Sequence, residues 1–145
     1  MRTRASTPAG QGTPGDEGSI MLLTLGYAVL ALALILVCVD ATSLYLAQKR
    51  LESVADAAAL AGADGFTLTV TAGEPRADLT DAGVFAQAAD LVGVVGTATL
   101  VEAGTPDGVS ARVTVATVWH PPIATVFVPA GVRLETTATS RNALR

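Results

Sequence analysis

From Ile20 to Val39 the chain runs for twenty residues without a charged side chain, IMLLTLGYAVLALALILVCV. A helix rises about 1.5 Å per residue, so the run spans about 30 Å, the thickness of a hydrocarbon core. Gly26 and Tyr27 do not interrupt it, because glycine is well tolerated in membrane helices. The run is longer than the h-region of a secretory signal, usually about 7–15 residues, and reads as a membrane anchor. Val39-Asp40-Ala41 resembles a V-x-A cleavage site, which leaves a cleaved leader as the alternative. A lipoprotein signal is excluded by Val37, which stands before Cys38 where a small residue is needed. Cys38 then reads as a buried thiol.

On the N-terminal side, residues 1–18 are small, polar and rich in Gly, Pro and Thr, which predicts a disordered arm. Asp16 and Glu17 suit the positive end of a helix starting near Ser19. Arg2 and Arg4 on one side nearly balance Lys49 and Arg50 on the other, so charge alone leaves the orientation open. On the C-terminal side, no proline or glycine occurs between Val39 and Gly62. Positions 26, 30, 33, 37, 40, 44, 47, 51, 54, 58 and 61 step by threes and fours through Gly, Leu, Ala, Val, Asp, Leu, Ala, Leu, Val, Ala and Ala. One helix of about 43 residues, roughly 65 Å, is therefore predicted to leave the membrane and stop at Gly62 or Gly65.

Asp40 falls on this stripe where the hydrocarbon ends. It either marks the interface or is a partner-facing acid that fixes helix register, since an acid near lipid is costly unless paired. Beyond it, Ala55, Ala57, Ala58, Ala59, Ala61, Gly62 and Ala63 crowd into nine positions. Small side chains let another backbone approach closely, so the run suits packing on a sheet or a neighbouring helix. Simple helix propensity would account for the same alanines.

After Gly65 the period becomes two. Phe66 to Thr71 alternates like a strand, Gly73-Glu74-Pro75 reads as a turn, and Leu79 to Val92 as a second helix. Asp78 or Thr80 could cap that helix and Gly93 would end it, with Gly83 weakening it by about 1 kcal/mol. Strands over 97–103 and 109–119 flank the turn-forming Gly104-Thr-Pro-Asp-Gly108. In the second, Val109, Ala111, Val113 and Val115 share one face, and Pro121-Pro122 ends it. A last strand, 132–140, alternates Val132, Leu134, Thr136 and Ala138 against Arg133, Glu135 and Thr137. The expected class is α+β: a long helix on a small, mainly antiparallel sheet with a second short helix.

This pattern is poor in chemistry. The sole histidine, His120, lies at a strand end before two prolines, and the sole cysteine lies in the apolar run, so they cannot form a nucleophile–base pair. Asp78 and Asp81 have the spacing of first-turn acids that favour a helix dipole. No HExxH, EF-hand, GxGxxG or P-loop pattern occurs. Half of the residues are hydrophobic but only 4% aromatic, so large ligand cavities are not favoured. From Leu51 onward ten acids face five arginines, which is not the footprint of a nucleic-acid binder. The reading is no catalytic residue, no metal, no cofactor, no nucleic acid and no small-molecule substrate.

Glu17-Gly18-Ser19, the apolar helix and VDATSLYLAQKRLESVADAAALAGAD together resemble the N-terminal region of Tad-type (Flp) pilus-assembly proteins. The carried-over positions are Gly18 before the helix, Asp40 at its outer end, and the run Leu51, Val54, Ala55, Asp56, Ala57, Ala58, Ala59, Leu60 and Ala61. The tail VFVPAGVRLETTATSRNA is similar to the closing strand of TadE-like proteins. Pilins and TadE-type pseudopilins carry a glutamate early in the membrane helix; five residues after Gly15 or Gly18 stand Ile20 and Leu23, so the resemblance favours the TadG-like side. It implies a single-pass protein with a pilin-like layout: a cytoplasmic arm (1–18), the anchor and its extension (19–64), and an extracytoplasmic domain (65–145). The implied role is a noncatalytic, minor-pilin-like or accessory component of pilus assembly or secretion. Its partners would be the lipid bilayer and other assembly or inner-membrane secretion proteins. A membrane-tethered or secreted binding module unrelated to pili is the alternative.

Overall fold

The computed structural model describes residues 16–71 and 74–141, with side chains over 18–67 and 78–141. The arm expected over residues 1–18 thus lies mostly outside the described residues. Two compact units divide between Cys38 and Val39.

Helix α1, Asp16–Asp64, begins three residues before the expected Ser19, so Gly18 lies inside its first turns rather than ahead of them. In the first unit its apolar side chains are exposed; Leu22 is 72% accessible and Leu25 60%. Cys38 is likewise exposed rather than buried among protein side chains. The segment is long and apolar enough to cross a membrane by length and composition.

The second unit takes the rest of α1 as one wall of its core. Strands β1, Thr67–Thr71, and β2, Glu74–Asp78, form an antiparallel ribbon in which Val70 pairs with Pro75. Glu74 and Pro75 are therefore strand residues, not the expected turn, and Gly73 lies outside the described residues. A two-stranded ribbon has free edges, where a proline's missing N–H costs no ladder bond. Helix α2, Asp81–Val95, is capped by Thr80, whose hydroxyl accepts from the Gly83 N–H at 3.1 Å. It passes through Gly93 and ends one turn later at Gly96, whose φ of 66° provides the left-handed cap.

Strands β3, Thr99–Gly104, β4, Ser110–Trp119, and β5, Val132–Arg141, form a meander in the order β3-β4-β5. The β3–β4 register slips between Leu100 and Glu102, a bulge. β4 pairs along its whole length with β5, from Ser110 opposite Arg141 to Trp119 opposite Val132. The expected alternation holds from Ala111 to Val115, with Ala111, Val113 and Val115 fully buried and Arg112 exposed, but Ser110, which the alternation places on the opposite face, is buried as well.

These valines meet Leu51, Ala55, Ala58, Ala59 and Ala63 of α1 and Val84, Ala88 and Val92 of α2 in one core cluster. Its largest fully buried side chains are Val84, Val113 and Val115. Core layers this thin require close backbones. A Cβ on Gly62 would stand 2.9 Å from Val84 Cγ1 and 3.3 Å from Ala111 Cβ. One on Gly83 would stand 3.0 Å from the Gly65 carbonyl oxygen. The glycine that weakens α2 is thus what lets α2 approach the end of α1.

Candidate functional site

The alanine run divides by helix geometry. Residues 51, 55, 58, 59 and 62 face inward, and Val54 packs partly against the same core. Asp56, Ala57 and Leu60 share the exposed face, with Leu60 57% accessible; Ala61 lies half-buried between the two faces. Most of the small residues are therefore occupied within the molecule, where they hold the sheet and α2 close. Asp56, Ala57 and Leu60 are exposed and make no part of that core.

Asp40, half-buried, has an intramolecular use. Its Oδ1 accepts the Ile123 backbone N–H at 3.1 Å. One turn along the helix, Ser43 Oγ accepts the Trp119 indole N–H at 3.1 Å. Two hydrogen bonds thus tie α1 to the end of β4 and to the loop after it. Asp40, expected either to mark the interface or to face an assembly partner, thus has one carboxylate oxygen engaged within the chain. Nothing in residue spacing identifies Ile123, because the pairing crosses 83 positions; the hint was a buried-stripe acid and a Pro-Pro stop in the same chain. Nearby, Lys49 pairs with Glu52 at 2.7 Å and lies 5.8 Å from the Tyr45 ring centroid. Exposed pairs of this kind contribute little.

At the other end of β4, acids organise the hairpin loop. Asp81 Oδ1 accepts the Thr105 N–H at 2.7 Å, and the Leu79 N–H donates to the Gly108 carbonyl at 2.9 Å. Asp107 accepts from the Ser110 N–H (2.6 Å), the Val109 N–H (3.0 Å) and the Ser110 hydroxyl (2.9 Å). Those donors, the Ser110 amide foremost, hold its carboxyl below the ordinary carboxylate range. Asp81 therefore links two elements, in addition to its expected place in the first turn of α2.

His120 is exposed at the end of β4. A cleft of about 240 Å³ beside it is lined by α1 residues Ala47, Arg50 and Leu51 and by Trp119. Among the described residues, no three His, Cys, Asp or Glu side chains converge on a point where a metal could be held.

The segment from Gly18 to Gly65, anchor and core-forming extension together, is the part that is shared with known proteins. Residues 18–65 match the Tad family model, described as putative Flp pilus-assembly TadE/G-like. The Tad match covers about a third of the chain and contains Gly18, Asp40 and the whole Leu51–Ala61 run. It supports a role in pilus assembly. No curated protein and no solved structure matches the chain significantly.

Proposed function

We propose that this chain is a noncatalytic, membrane-anchored component of a Tad/Flp-type pilus-assembly or secretion system, minor-pilin-like or accessory. The observation that carries the reading is the Tad match over a helix that is lipid-compatible up to Val39 and core-forming beyond it. The N-terminus lies in the cytoplasm and the α+β unit outside, as the family resemblance implies. The bilayer covers the exposed apolar side chains of the anchor. Asp56, Ala57 and Leu60 form the outward strip of the extension that meets other assembly proteins.

The test is deletion of the gene in its own host, with imaging of surface pili. Loss of pili, restored by the wild-type chain but not by Leu60→Asp at equal abundance, is the expected result. Leu60 is exposed, so this variant should fold; wild-type piliation in the deletion strain would overturn the proposal.

A further inference from the structure

The loop between β4 and β5 has features of a second membrane contact. From Pro121 to Val132 it carries no charged residue. Val126 and Phe127 are each 86% exposed, more than any other large apolar side chain among the described residues of the second unit except Val94. The loop is also fixed in position: the Ile123 N–H is held by Asp40, and Asp40 directly follows the last residue of the uncharged run. A hydrocarbon boundary at Asp40 would place this loop at the same depth.

Irregular backbone is normally barred from lipid by its unpaired N–H and C=O groups. Here much of the donor load has been removed. Pro121, Pro122 and Pro129 have no N–H. The amides of Phe127 and Val128 donate to the Ala124 carbonyl, that of Gly131 to Val128, and that of Ile123 to Asp40. The Thr125 hydroxyl donates to the Pro121 carbonyl. The carbonyls that remain restrict the loop to the headgroup region, where aromatic and aliphatic side chains are favoured.

We propose that the Pro121–Ala130 loop lies in the headgroup layer of the membrane that holds the anchor, with Val126 and Phe127 directed into the lipid. The occupant of this apolar patch is lipid, because the loop is uncharged and is pinned to Asp40, the residue that directly follows the uncharged run in the chain. The inference rests on the anchored reading, and the experiment separates the two.

Full-length chain carrying Cys38→Ser is reconstituted into phosphatidylcholine–phosphatidylglycerol vesicles with a single environment-sensitive fluorophore on an introduced cysteine. Three labelling variants are compared: Phe127→Cys in the loop, Pro106→Cys at the opposite end of β4, and Leu30→Cys in the anchor. The expected result is a blue-shifted emission at 127 that shallow nitroxide lipids quench and aqueous iodide does not. Position 106 should show the reverse, and position 30 should respond to deep nitroxide lipids. Lipid quenching at 30 with water-like emission and iodide quenching at 127 would overturn the loop contact alone. Shielding at 127 from both quenchers would also overturn it, in favour of a protein cover. Iodide quenching at 30 would overturn the anchored reading and the loop contact with it.

Discussion

Gly62 and Gly93 both occupy the last turn of a helix, yet their surroundings require opposite outcomes on substitution. A methyl at 62 would overlap a fully buried valine methyl and crowd Ala111, whereas one at 93 meets nothing within 4 Å. Helix propensity favours alanine over glycine at both sites by about 1 kcal/mol. Gly93→Ala should therefore raise unfolding stability by about 0.5–1 kcal/mol. Gly62→Ala should lower it by about 1–2 kcal/mol, because overpacking outweighs propensity. Urea titration of both variants in one detergent or nanodisc condition checks the signs. The Gly62 packing role is not legible from sequence: a glycine near a helix end reads as a stop, and only the facing Val84 makes it a contact point.

Among the elements, the hairpin loop is held by two carboxylates, Asp81 and Asp107, and the β4–β5 loop by that of Asp40. Asp107 has a folded-state pKa depressed by its three donors, so its contribution to stability is complete above the ordinary value of 3.8 and is lost as pH falls through the lower folded value. Carboxyl chemical shifts followed by NMR should give a midpoint for Asp107 below 3.8, and the Ser110 amide should lose exchange protection over the same acid range. In Asp107→Asn that pH dependence should vanish. For the other loop, Asp40→Ala removes the acceptor of the Ile123 amide. Hydrogen exchange at Ile123 should accelerate about tenfold, as for loss of a bond of about 1.4 kcal/mol, while Val113 in the core keeps its protection. Equal acceleration at both positions would show that the carboxylate supports the whole fold instead. Period explains how far these elements could be read in advance. The α1 stripe, the β4 alternation and the strand at 132–140 follow directly from spacing. The ribbon partner Glu74–Asp78 does not, because Pro75 reads as a breaker until the free edge of a two-stranded ribbon is known.

For the molecule as a whole, the α+β class and the long helix were legible because α1 carries first an unbroken apolar run and then an amphipathic stripe. The use of the alanine run was only half legible. Spacing shows that 51, 54, 58 and 61 share a side of the helix, but not whether a sheet of the same chain or another protein occupies it. The structure assigns Leu51, Ala55, Ala58 and Ala59 to the internal core. Variants should therefore sort by face. Ala58→Leu, at a site with no free volume, should destabilise the second unit by about 1–3 kcal/mol, whereas Ala57→Leu on the exposed face should leave urea unfolding within about 0.5 kcal/mol of wild type. If the proposed role holds, Ala57→Leu should still impair piliation. Unfolding curves beside pilus counts distinguish loss of fold from loss of partner.

Trp119 is the chain's single tryptophan, and its indole N–H is tethered to Ser43 on the helical wall. Because no second tryptophan is present, selective excitation of this indole observes one seam and little else. Detaching the sheet from the helix would place the ring in water and redden its emission, while fraying of the β1–β2 ribbon would leave the spectrum unchanged. The chain thus carries a native optical gauge of whether the sheet of its second unit is docked on the helix beside it, without any label being introduced.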